Sequence, residues 1–99
     1  MVLLFMVKEA REQLLKEGRV FTFRKKPHKT GRDWATDRRG GKKIADINIR
    51  LEKEVKTCAD LKPYVEYSGF QLWSDWIRVI ISRSKSKLVE GFLYEVTKI

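Results

Sequence analysis

The sequence has a single cysteine, Cys58, and a single histidine, His28. One cysteine excludes an internal disulfide and a cysteine-built zinc cage, and one histidine excludes a His-pair metal centre. Neither a metal nor a cofactor is expected, and a reducing, cytoplasmic setting fits. No apolar run approaches the roughly 18 residues that a membrane helix needs. The apolar start, Met1–Val7, is too short for a signal segment and has no basic residues ahead of it. No membrane partner is expected.

Positive charge is what the chain has in quantity. Its 99 residues include 22 Lys and Arg against 13 Asp and Glu, a net charge of +9. Ten of these bases fall between positions 19 and 43: Arg19, Arg24, Lys25, Lys26, Lys29, Arg32, Arg38, Arg39, Lys42 and Lys43. The same stretch holds two acids, Asp33 and Asp37, so it carries +8 of the +9. The remainder is close to neutral. Charge this concentrated predicts a polyanionic partner, most simply nucleic acid.

Hydrophobic residues at 42% and aromatics at 11% allow one domain over residues 1–99 with a small core, to which three Trp and five Phe contribute much of the area. Val2–Val7 reads as a short buried strand. Residues 8–17 are rich in helix formers, and Gly18 stands where a C-terminal glycine cap belongs. Arg19–Arg24 alternates as a strand, with Phe21 and Phe23 on one face and Val20, Thr22 and Arg24 on the other. Lys25–Gly41, with Pro27 and three glycines, reads as one long loop, and Lys43–Leu51 as a strand whose Ala45, Ile47, Ile49 and Leu51 face the core. Residues 52–55 can extend it. Ser68–Gln71 has the spacing of a capping box before a helix over 72–81, whose Trp73, Trp76, Ile77 and Ile80 share a face. Arg83–Lys87 is a basic loop, and Phe92–Thr97 a last strand with Phe92, Tyr94 and Val96 on one side.

Several of these residues carry chemistry. Arg24 has a planar fork suited to a phosphate or a base edge. The basic residues of the long loop suit phosphates. Its Trp34 can stack on an unpaired base or anchor the loop onto the rest of the domain. Gly40–Gly41 beside Lys42–Lys43 reads as a turn rather than a phosphate-binding P-loop. His28 reads as part of the basic surface, Cys58 as a small buried residue, and Trp73 and Trp76 as core.

In their order, these pieces resemble the ASCH family of the PUA-like superfamily. Gly18-Arg-Val-Phe-Thr-Phe-Arg24 is similar to the family's G-x-K-x-x-E-x-R strand motif, one residue shorter. Arg19 stands for the lysine, Thr22 for the glutamate (threonine occurs there in some members) and Arg24 for the last arginine. Gly41–Ile49 resembles the strand after the family's loop. Ser68-Gly-Phe70 followed by Trp76 resembles its S/D-G-F…W signature, and Phe92–Val96 its closing strand.

The resemblance implies an α+β fold, a small PUA-like β-barrel flanked by short helices, with a cleft lined by Gly18–Arg24. It implies RNA or a modified nucleobase as ligand. Some small members deacylate N4-acetylcytidine with a lysine, a threonine nucleophile and a glutamate. Carried onto this chain, that machinery is Thr22 as nucleophile, Arg19 at the lysine position and Glu66 as the closest acid. A guanidinium stays protonated, so Arg19 can stabilise an oxyanion but is a poor general base. Residues three apart on a strand also face opposite ways, so Arg19 and Thr22 converge only if Arg19 precedes the strand. The leading expectation is an RNA-binding, or single-stranded nucleic-acid-binding, module using the basic loop and the cleft. The alternatives are an amidohydrolase and a non-catalytic module for an acidic protein.

Overall fold

The computed structural model describes residues 2–5, 7–38, 40–84 and 89–99. Met6 of the first expected strand, Arg39 of the basic stretch, and Lys85 and Lys87 of the basic loop lie outside the described residues. The order of elements is β1 (Val2–Leu4), α1 (Lys8–Glu17), β2 (Arg19–Arg24), β3 (Gly31–Thr36), β4 (Lys43–Val55), a 3₁₀ helix (Cys58–Tyr67), α2 (Trp73–Ser84) and β5 (Gly91–Lys98). Among the described residues no helix is long and apolar enough to cross a membrane.

The strands form one sheet in the order β1-β3-β4-β5-β2. Four of them, β3, β4, β5 and β2, run antiparallel to their neighbours, and β1 adds to β3 in parallel. The fold is therefore α+β. Among the described residues β1 and β2 are the two edges and do not pair with each other, so the sheet is not a closed barrel.

Each face of the sheet carries a core of its own. On one face Leu14 of α1 packs with Leu3, Phe5, Val20, Ala35, Ile47, Ile49, Tyr94 and Val96. On the other, Leu61 of the 3₁₀ helix and Trp76 of α2 pack with Phe21, Val55, Val89 and Leu93. This is why β2 and β5 bury consecutive residues rather than alternate ones: Val20 and Phe21 are both buried, as are Leu93 and Tyr94. Helix α1 ends as its sequence dictates. Gly18 adopts φ 76°, and its N–H donates to the Leu14 carbonyl at 2.8 Å.

Three expectations change. The long loop of 25–41 contains a strand, β3, because Gly31–Thr36 pairs with β4 along its length and Trp34–Thr36 pairs with β1 as well. Pairing to two neighbours overrides a polar composition. Leu51 is 46% exposed rather than in the core. The register of β4 against β5 shifts between Leu51 and Lys53, and this extra residue turns the strand over, so that Val55 enters the second core. Ser68 does not cap α2, which starts at Trp73. Its buried hydroxyl donates to the Val65 carbonyl at 2.7 Å and accepts from Phe70 N–H at 3.1 Å, closing the 3₁₀ helix and starting the turn. In that turn Gly69 has φ 92°, and a Cβ there would overlap the Glu9 carbonyl of α1.

Candidate nucleic-acid interface

A pocket of about 310 Å³ lies along the outer edge of β2, where the helical layers of the two faces meet. Phe5, Val7 and Ala10 come from the β1–α1 corner, and Phe21 to Lys25 from the end of β2. Phe70, Trp76, Val79, Ile80 and Arg83 come from the turn and α2. Its volume is at the small end of the range for ligand sites. The walls are mainly aromatic and aliphatic, and the polar side chains among them are Thr22, Arg24, Lys25 and Arg83.

Arg24 dominates the electrostatics. The residue as a whole is half-buried, but its guanidinium is deep, 5.6 Å from the centre of the Phe5 ring. Burial pulls its pKa down to about 10, which leaves it charged at neutral pH. A cation at low local dielectric acts on an incoming anion far more strongly than one in water. Gly91 of β5 permits this placement, since a Cβ there would overlap the Arg24 carbonyl. Thr22 is 8% exposed, so it is a wall residue rather than a solvated one.

The other members of the expected catalytic set are not brought to Thr22. Arg19 is the first residue of β2 and points to the opposite face, as the strand period requires. There its Nη2 pairs with Glu95 Oε2 at 2.6 Å, and its guanidinium packs on the Phe21 and Tyr67 rings at 5.0 and 4.7 Å. Glu95 is shared with Arg50, whose Nε and Nη2 donate to Glu95 Oε1 at 3.1 and 3.0 Å. Glu66 is exposed on the 3₁₀ helix and does not line the pocket. Among the described residues, no His, Asp or Glu lines the pocket.

The basic stretch is divided by β3. Lys25 lines the pocket, and Lys26 and Lys29 are exposed on the connection that follows. That connection is held across the sheet by the His28 N–H, which donates to the Tyr94 hydroxyl at 2.7 Å. Arg32 and Trp34 lie on β3, while exposed Arg38, Lys42 and Lys43 lie on or beside the β3–β4 hairpin. The buried Thr36 hydroxyl pins this hairpin, 2.9 Å from the Lys42 carbonyl and 3.2 Å from that of Arg38. Lys43 Nζ pairs with Asp46 at 3.1 Å.

Trp34 packs into neither core and is half-buried. Its neighbour Ala35 is fully buried, so the indole faces the other side of the sheet. Trp73 and Trp76 are packed, with Trp73 Nε1 donating to the Cys58 carbonyl at 3.0 Å. Cys58 is half-buried rather than fully so. Sequence reasoning missed the pocket's far wall, Phe5, Phe70, Val79 and Ile80. The apolar stripe of α2 was visible, but no local signal sets it against the edge of β2. No family model, curated protein or solved structure matches this chain.

Proposed function

We propose that this chain binds single-stranded nucleic acid, foremost cytoplasmic RNA, and seats one nucleotide in the pocket beside Arg24. The observation that carries the reading is a deep guanidinium in the wall of an otherwise apolar, aromatic-rich pocket of about 310 Å³. A nucleotide offers a flat ring for the aromatic wall and a phosphate for Arg24, Lys25 and Arg83. The net charge of +9 supplies long-range attraction to the same partner. The similarity of Gly18–Arg24 to the ASCH motif supports the reading too, as does the meeting of the sheet's edges at Arg24 and Phe5, which suits a partly open PUA-like barrel.

Binding is favoured over amide hydrolysis by the position of Thr22. Its hydroxyl needs a base to become a nucleophile, and among the described residues no carboxylate or imidazole lines its pocket. The test is the affinity of the full chain for oligouridylate across a salt series. Affinity is expected to fall steeply with salt through counterion release. Absence of binding at low salt would sink the reading. Release of acetate from N4-acetylcytidine, abolished by Thr22→Ala, would reinstate the hydrolase.

A further inference from the structure

The charge that is contiguous in sequence is separated in space. Register runs from Arg24 to Phe92 of β5 and on to Glu54 of β4, so the pocket lies at the C-terminal end of β4. Lys43 begins β4, and the hairpin bearing Arg38 and Lys42 lies at that opposite end. Drawn straight at about 3.3 Å per residue, the 13 residues of β4 would span about 40 Å. The longest axis of the molecule is 31 Å, so β4 bends, and the pocket at one of its ends and the hairpin at the other are at most about 30 Å apart. Among the described residues, none of the hairpin's bases lines the pocket.

The hairpin end has the composition of a contact surface of its own. Register places Arg32 beside Asn48, Asn48 beside Thr97, and Thr97 beside Arg19, one polar row across β3, β4, β5 and β2. Trp34 stands one step along the same face, outside both cores. Among the described residues, no ion pair engages Arg32, Arg38 or Lys42. The register neighbour of Trp34 on β4 is Asp46, which Lys43 pairs, and Arg32 lies two residues along the same strand face. A half-exposed indole with unpaired cations at the same end of the sheet suits an unpaired base and its phosphates.

Building on the function proposed above, we propose that one nucleic-acid strand is gripped at both ends of the molecule, in the Arg24 pocket and on the Trp34 face with its basic hairpin. A stacked strand advances about 3.4 Å per nucleotide, so the ligand is an unpaired stretch of roughly nine nucleotides, fewer if stretched. Two weak grips on one strand raise affinity by effective concentration, but only when the strand reaches both.

The test is fluorescence anisotropy with oligouridylates from about 3 to about 15 nucleotides, bracketing the site sizes of small single-strand-binding folds. Wild type should show a step of at least about tenfold in affinity as length passes the span. The combined variant Trp34→Leu, Arg38→Gln, Lys42→Gln should lose the step and keep its affinity for the shortest oligomers, whereas Arg24→Met should weaken short and long alike. Circular dichroism melts show whether each variant is folded, and Arg32→Gln with Lys42→Gln replaces the triple variant if that one is not. Equal affinity at all lengths, or equal losses at all lengths in the hairpin variant, would overturn two-ended binding and leave the pocket reading standing. An identical step with polyglutamate would overturn it as well, since stacking would then contribute nothing. Failure to bind at any length would remove both readings.

Discussion

The Arg24 guanidinium of β2 sits 5.6 Å from the centre of the ring of Phe5, the residue that follows β1, and β1 and β2 do not pair with each other among the described residues. The ring face offers the cation part of what it gives up by leaving water, on the order of 1–2 kcal/mol. It does not restore all of it, because burial still lowers the pKa of Arg24 to about 10.

This placement costs the fold stability. A base whose pKa is lowered by folding holds its proton less tightly in the folded state, so its burial destabilises the fold at pH 7. The penalty fades as pH rises through about 10 towards the ordinary arginine range. Arg24→Met is expected to unfold at higher urea at pH 7, a gain on the order of 1–3 kcal/mol, with the gap to wild type narrowing above pH 10. Its oligonucleotide affinity should fall at least about tenfold. A variant that is less stable at pH 7 would show that Arg24 contributes more to the fold than it takes.

Gly69 is where α1 and the turn before α2 meet. Its φ of 92° disfavours any side chain, and a Cβ would overlap the Glu9 carbonyl. Gly69→Ala should lower stability by roughly 2–4 kcal/mol, by urea denaturation, because neither backbone can yield without moving a pocket wall. A loss below about 0.5 kcal/mol would mean that the turn relaxes freely.

Asp60 anchors the start of the 3₁₀ helix. Its Oδ2 accepts from the N–H groups of Lys56 and Thr57 at 2.9 and 3.1 Å, and these bonds hold its pKa below the ordinary 3.8. A carboxyl with a depressed folded pKa stabilises above the unfolded value and loses that contribution as pH falls through the folded one. Asp60→Asn should therefore be less stable than wild type near pH 7, and the two should converge in acid below that range. Parallel pH–stability curves would remove Asp60 from the acid response.

Lys25 and Lys26 follow β2 directly, and Lys25 lines the pocket. Each phosphate contact removed should lower the log–log salt slope of single-strand binding by about 0.7, so Lys25→Gln with Lys26→Gln should lower it by about 1.4. Thermal stability should stay nearly unchanged, since both side chains are exposed. An unchanged slope would place the phosphates elsewhere.

Local chemistry was legible in the residues themselves. The α1 helix ending at Gly18, the alternating strand with Thr22 and Arg24 on one face, and the apolar stripe of α2 all follow from period and propensity over a few neighbouring residues. The total charge and its clustering between positions 19 and 43 are likewise properties of the sequence. Which residues meet is a different question, because it depends on pairings distant in the chain. Only those pairings turned Gly31–Thr36 into a strand, slipped β4 past Leu51 so that Val55 is buried, and set α2 against the edge of β2. They also sent Arg19 to Glu95 rather than to Thr22, and carried Arg38 and Lys42 to the far end of the sheet from Arg24. The sequence by itself determined how much positive charge the protein carries and which short segments are helix or strand. Tertiary structure decided that the charge is divided between two ends and that Arg24 lies deep in a pocket, because strand register and layer packing, rather than proximity along the chain, set distances between side chains.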